Sequence, residues 1–283
     1  MTGEPPVRRR LVGSALRRYR ESVGYALDDA AKVLECDRSK ISRIETGQRG
    51  IRPKELRELL AEYGVREAEQ AALLGLARRG DQHGWWQEYA GVLPETVIDY
   101  VAMESSAAEI MVYEAQLVPD LLQTADYAHA VAEAGPGYRS GAEPADAVAV
   151  KLYRQDAVLG GGIRLTAVVA EAALHQQVGG PEVMAAQRAH LAGLNGQFPN
   201  VTVQVLPFSA GAHAAVASGS LAILSFADVP NLGVVYLEAL TGGVYLDSQQ
   251  DVTRYIGAFA LLRSSALSVD ESGAALSEPA DCA

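Results

Sequence analysis

Residues 27–47, LDDAAKVLECDRSKISRIETG, carry the side chains whose types and spacing point most directly to a chemistry. Arg38, Ser39, Ser42 and Arg43 fall on the outward side of a short helix whose inward side is Ile41 and Ile44. A guanidinium fork matches O6 and N7 of guanine, and a serine hydroxyl can donate or accept at a base edge or a phosphate. These four residues are therefore the candidate base readers. Lys40, Arg49, Arg52 and Lys54 surround them and carry the charge to meet backbone phosphates, which would fix register. The partner implied is double-stranded DNA. Small Ala30 and Ala31 let the preceding helix pack closely, which gives the segment the logic of a helix-turn-helix whose second helix fits the major groove.

The elements that must hold this helix can be read on either side of it. Val7, Leu11, Val12, Ala15, Leu16 and Tyr19 recur at helical spacing over 7–21, and Gly24 stops that helix. Leu27, Ala30, Ala31 and Leu34 share one face of a second helix. Asp37 is a good N-cap for the third, which runs to Glu45, and Gly47 is a good stop. Pro53 opens a fourth helix with Leu56, Leu59, Leu60 and Tyr63 inward, and 67–79 reads as a fifth. Five short helices make an all-α domain over 8–80.

Charge divides the chain at the same place. Residues 1–80 hold 17 Lys+Arg and 12 Asp+Glu, whereas 81–283 hold 7 and 23, within an overall net charge of −11. The first part can approach a polyanion and the second is repelled by one. Beyond a boundary near 79–84 and an aromatic cluster at 85–89, helices are expected at 99–114, 121–134, 145–159, 171–178, 181–196 and 251–263. A Gly/Pro-rich loop is expected at 135–144. Strands are expected at 163–170, 201–205, 220–226, 233–238 and 243–246. The chain is thus α+β overall, with a larger α+β domain of mostly antiparallel strands over 84–265 and a disordered tail over 266–283.

Other chemistries find little support. The five histidines form no HExxH or Cys/His cluster, so no metal is expected. Ser209 lacks a GxSxG context, and Gly160–Gly162 lacks the GK[ST] of a phosphate loop. No catalytic residue, cofactor or enzymatic activity is expected. Cys36 and Cys282 make no disulfide framework, and Cys36 reads as a small packed hydrophobe. Glu171 and Glu238 each follow an apolar run; they could bind a cationic ligand or a partner arginine, or equally cap helices or face water. No segment approaches the roughly 18 apolar residues of a membrane span, and no signal peptide is apparent, which implies a cytoplasmic protein without membrane association.

The segment RSKISRIETGQRGIRP resembles the recognition helix and following turn of the Cro/C1-type, or XRE-family, helix-turn-helix, over residues 8–77. Ala26 stands where that family often has a polar cap, and Glu35 where it often has a turn glycine. The resemblance also implies an architectural pair between Arg20 and Glu45. The blocks YEAQLVPDLLQTADYA, KLYRQDAVL, AEAALHQQVGG, VTVQVLPFSAGAH and VVYLEALTGGVYL resemble the uncharacterised C-terminal domain of many actinobacterial XRE-type regulators of the WhiJ-like group. The implied function is a homodimeric, sequence-specific transcriptional regulator. Its C-terminal domain would sense a ligand or a small acidic protein encoded nearby. An antitoxin-like protein that controls such a partner, or an enzyme tethered to a DNA-binding module, are the rival readings.

Overall fold

The computed structural model describes residues 5–78, 95–135, 144–226, 232–239 and 242–277. The N-terminal helices are α1 (Val7–Ser22), α2 (Leu27–Val33), α3 (Arg38–Glu45), α4 (Pro53–Glu62) and α5 (Glu67–Arg78). Their apolar stripes meet in one core in which Leu11, Leu16, Ile41, Ile44, Leu56 and Leu60 are closed to solvent. Gly13 lets α1 cross α3 at backbone contact: a Cβ there would lie 2.4 Å from the carbonyl oxygen of Ile44. Asp37 caps α3 as expected, its carboxylate accepting the Ser39 N–H at 2.7 Å. Ala26 has no side-chain acceptor, but Asp29 reaches back to accept the Ala26 N–H at 3.0 Å, which supplies half of a capping box. Glu35 adopts φ +47°, the one left-handed non-glycine among the described residues. The turn thus keeps the shape that a glycine would favour, at a cost of about 1–2 kcal/mol.

Arg20 and Glu45 pair as the resemblance implied. The guanidinium donates to both carboxylate oxygens, Nε to Oε1 at 2.7 Å and Nη2 to Oε2 at 2.9 Å, and Nη1 donates to the Tyr25 carbonyl at 2.6 Å. This buried fork joins the end of α1 to the end of α3.

The larger part is built on one six-stranded sheet in the order β3-β2-β1-β4-β5-β6. Its strands are β1 (Glu109–Glu114), β2 (Arg164–Ala170), β3 (Val201–Leu206), β4 (Leu221–Ser225), β5 (Gly233–Ala239) and β6 (Gly242–Leu246). Three pairings are antiparallel and two, β1/β2 and β2/β3, are parallel, so the sheet is mixed. Parallel neighbours require long crossovers. Helices α7 (Ala125–Ala134) and α8 (Pro144–Ala157) make the first, and α9 (Glu171–His175) and α10 (Pro181–Gln197) the second. Ile110, Val112, Leu165, Ala167, Leu224 and Val234 face the helices of these crossovers. On the opposite face, Val168, Ile223 and Val235 pack on Val252, Phe259 and Leu262 of α11 (Gln249–Ser265).

Two expectations need correction. The helix read over 99–114 is α6 (Glu95–Glu104) followed by strand β1. β1 lies inside the sheet, so Ile110 and Val112 are buried on one face and Tyr113 on the other. A strand buried on both faces shows no polar alternation to mark it. The tail read as disordered contains α12 (Val269–Ser277), and only 278–283 of it lies outside the described residues. This segment covers the open edge of β3. Leu267 N–H donates to the Val205 carbonyl, and the Val205 N–H donates to Ser272 Oγ, both at 2.9 Å. Buried Leu276 fastens the helix down. An uncovered edge would offer these groups to another chain. The expected boundary at 79–84 and the aromatic cluster at 85–89 lie outside the described residues, as does most of the expected loop at 135–144. Among the described residues no helix is long and apolar enough to cross a membrane.

Two substitutions test these ties. Glu45→Ala leaves the Arg20 guanidinium buried without its carboxylate, and is expected to cost about 3–5 kcal/mol in urea unfolding. Joint replacement by Arg20→Met and Glu45→Leu should cost less than that single change; equal or greater loss would show the charges to be stabilising in themselves. Ser272→Ala deprives a buried amide of its acceptor and should cost about 1–3 kcal/mol. An unchanged midpoint would mean that the tail does not secure the β3 edge.

Candidate functional site

Helix α3 presents two unlike faces. Ile41, Ile44 and Glu45 are buried, while Arg38, Ser39 and Arg43 are exposed and Ser42 is half-buried. The helix therefore brings all four candidate base readers onto accessible ground. Arg43 folds back along the helix, its Nε donating to the Ser39 carbonyl at 3.2 Å and its Nη2 reaching Ser39 Oγ at 3.4 Å. Arg38 lies 3.8 Å from Asp28, and both side chains are mostly open to water. An exposed pair of that kind holds its partners weakly and leaves the guanidinium available.

The candidate phosphate contacts divide. Arg49, Arg52 and Lys54 are exposed around the turn and the start of α4, with Lys54 only loosely paired to Glu58 at 3.9 Å. Lys40 instead donates to Glu55 at 2.7 Å in a largely covered pair that ties α3 to α4. Burial alone would raise the Glu55 carboxyl, but the Lys40 ammonium and the Arg52 N–H bring it below its ordinary range. Most arginines of α1 are engaged within the chain. Arg8 meets Asp99, Arg10 meets Asp247, Arg17 meets Glu21, and Arg18 lies over the Tyr19 ring. Arg9 is exposed.

Glu171 and Glu238 are not brought together. Glu171 accepts the Phe208 N–H at 2.6 Å and lies 3.7 Å from His175. It ties the end of β2 to the turn after β3. Glu238 is exposed on β5 at the rim of a cavity of about 70 Å³, with Tyr100, Glu114, Asp120, Arg154 and Tyr236 in the same wall. Reading the sequence missed these neighbours. Their one signal was a set of charges set within apolar helical runs, as in KLYRQDAVL, which holds Lys151 and Arg154. Arg154 grips Glu104 at 2.8 and 2.7 Å and meets Asp120 at 3.3 Å, while Lys151 meets Asp120 at 2.8 Å. Burial would raise the Asp120 carboxyl, but these two cations hold it down at about 2. Glu114 forms no ion pair among the described residues, and the more distant Lys151 offsets its burial only in small part. Burial, reinforced by Asp120 and Glu238, pushes it up to about 7 against the opposing hydrogen bond from Ser220.

No group of three or more metal-ligating side chains converges among the described residues. Cys36 is partly buried against the helical core.

Comparison with known families agrees with this division. A helix-turn-helix domain model matches residues 11–73, which supports DNA binding by the N-terminal helices. A model described as Domain of unknown function (DUF5753) matches residues 97–278, from α6 to the end of α12. Neither a curated protein nor a solved structure matches the chain. The second match spans well over half of the sequence, and the chain thus belongs to the DUF5753 family, with a helix-turn-helix domain ahead of it.

Proposed function

We propose that the protein is a sequence-specific transcriptional regulator of the Cro/C1, or XRE, type, acting on double-stranded DNA as a cytoplasmic homodimer. The observation that carries this reading is α3 itself. Its inner face is clamped by Ile41, Ile44 and the Arg20–Glu45 fork, while Arg38, Ser39 and Arg43 stand open on its outer face. A helix held this way can enter the major groove without rearrangement, with Arg38 and Arg43 at guanine edges and the two serines beside them. Arg49, Arg52 and Lys54 then meet phosphates and set register. Lys40 acts one step back, holding α4 against α3.

The acidic C-terminal part stays off the DNA and changes occupancy by binding a ligand or small protein partner in one state more than the other. Catalysis plays no part in this reading. Dimerisation belongs to the same part, because paired half-sites about 34–36 Å apart require paired recognition helices.

An operator selected from random duplexes gives the test. Arg43→Ala should weaken binding to it by about 1–3 kcal/mol and relax preference at one position. Equal loss on operator and unrelated DNA would make Arg43 a phosphate contact, and undiminished affinity would remove α3 from the groove. Arg52→Ala should instead weaken all sequences alike and lower the slope of log K against log salt by about 1.

A fragment ending at Asp81 should remain helical by circular dichroism and bind the operator more weakly than the full chain, through loss of avidity. Full-length affinity in the fragment would place dimerisation within the helices.

A further inference from the structure

The cavity beside Glu238 takes no part in meeting DNA, yet its lining is drawn from α6, α8, β1, β4, β5 and the turn that holds Asp120. The register of β1 with β4, and of β4 with β5, continues so that Glu114, Ser220 and Glu238 share one row at the end of the sheet. Tyr100 comes down from α6, its ring 4.7 Å from that of Tyr236. Arg154 comes from α8, its guanidinium carbon 5.4 Å from the centre of the Tyr100 ring.

Two features of this lining are unanswered within the protein. Tyr100 is only 9% exposed and lines the cavity, yet its hydroxyl has no hydrogen-bond partner among the described residues. Charge is unbalanced as well. Lys151 and Arg154 are paired with Asp120 and Glu104, and among the described residues no cation forms an ion pair with Glu114 or Glu238, on which Lys151 acts only at longer range. A water needs roughly 10–15 Å³ of such space, and drug-sized ligands need roughly 300–1,000 Å³. At about 70 Å³ the cavity admits one small polar head and nothing larger.

We propose that this cavity binds a single organic cation, an alkylammonium or guanidinium group, seated against Tyr100 and Tyr236 with its charge on Glu114 and Glu238. The proposal rests on the reading of the C-terminal part as the sensing part, and specifies what it senses. Each demand of the lining is met by that chemistry. Arg154 already lies over the Tyr100 ring, and Tyr236 packs on both Tyr100 and Tyr245, so the attraction comes from the two carboxylates, with the tyrosines as the walls beside them. N–H donors satisfy two carboxylates and the Tyr100 hydroxyl oxygen together. Burial disfavours the charged form of Glu114, and a neighbouring cation removes that penalty. The cation is supplied either by a free amine or by a lysine or arginine side chain of a protein partner.

The test uses the full chain in calorimetric titrations with butylammonium, butylguanidinium, a blocked Gly-Arg-Gly peptide and neutral butanol. At least one cation should bind at one site per chain and at least tenfold more tightly than butanol. Glu238→Gln should weaken that binding tenfold or more with an unchanged melting temperature, and Glu114→Gln should do the same. Binding by the peptide without the free amines would support the cavity and assign the cation to a partner side chain. Butanol binding as tightly as the cations, or both variants binding like wild type, would overturn the proposal, as would no binding by any cation. Operator titration of the same samples keeps the readings apart. Cation binding without DNA binding would remove the regulator and leave the cavity, and the reverse result would remove the cavity and leave the regulator.

Discussion

A guanidinium withdrawn from water must be met by carboxylates, because an unpaired buried charge costs several kcal/mol. Arg154 imposes that constraint on the larger part of the molecule. It is 7% exposed on α8, and it reaches Glu104 at the end of α6 and Asp120 in the turn after β1. Three elements distant in sequence are thereby held in one geometry. The surrounding amides complete the arrangement. Gln155 and Gln187 donate to the backbone carbonyls of Gln123 and Leu122, and Gln123 donates to that of Val118. Polar satisfaction of this completeness favours a single packing of α6 and α8 on the sheet. It also fixes where Tyr100 stands, and so the wall of the cavity.

The helical part uses the same device once. Arg20 and Glu45 form the fork that holds α3 to α1, beside a crossing so close that only glycine fits at position 13. A buried ion pair adds little net stability over well-packed apolar residues, so what it supplies here is placement. Placement is what a recognition helix requires. The candidate base readers are exposed, or half-buried in the case of Ser42, and their common frame is set by the buried inner face of α3.

How much of this was legible follows from how local each feature is. The five N-terminal helices could be read because their apolar periods, the Asp37 cap and the Gly47 stop are signals written within a few residues. The Arg20–Glu45 fork became visible only through a family resemblance, since nothing in a separation of 25 residues says that two side chains meet. Strand β1 was hidden because its Glu, Met and Tyr also suit a helix, and its place inside the sheet decided the matter. Helix α12 was hidden because only two of its residues, Ser272 and Leu276, are buried, too few to mark a period, and its other ties, such as the Arg188 bond to the Ala275 carbonyl, come from elsewhere in the chain. Glu238 could be picked out as a carboxylate after an apolar run. Its neighbours Tyr100, Glu114 and Arg154 could not, because strand register and the Arg154 ion pairs bring them there. Glu171 carried the same sequence signal as Glu238 and serves as a backbone tie, so that signal alone does not separate the two roles.

The charge asymmetry between the two parts also has a use inside the chain. Arg8 of α1 lies 3.7 Å from Asp99, and Arg10 lies 2.7 Å from Asp247. Part of the basic surface is therefore turned toward the acidic part of the same molecule, while Arg38, Arg43, Arg49, Arg52 and Lys54, on α3 and the residues after it, stay exposed. This bears on how the cavity could speak to the DNA. Fields between exposed charges fade over a Debye length of about 8 Å at physiological salt, so any action of the cavity on α3 through space weakens as salt rises. Contact is the stronger route. Asp99, which meets Arg8, is the immediate neighbour of Tyr100, which walls the cavity, and both ride on α6. Were a bound cation to shift Tyr100, the shift would be made on the helix whose Asp99 meets Arg8 of α1. By linkage, DNA that repositions α1 alters the cavity by an equal free energy. Coupling by that route would run through the packing of α6, and unlike a field effect it would persist at high salt.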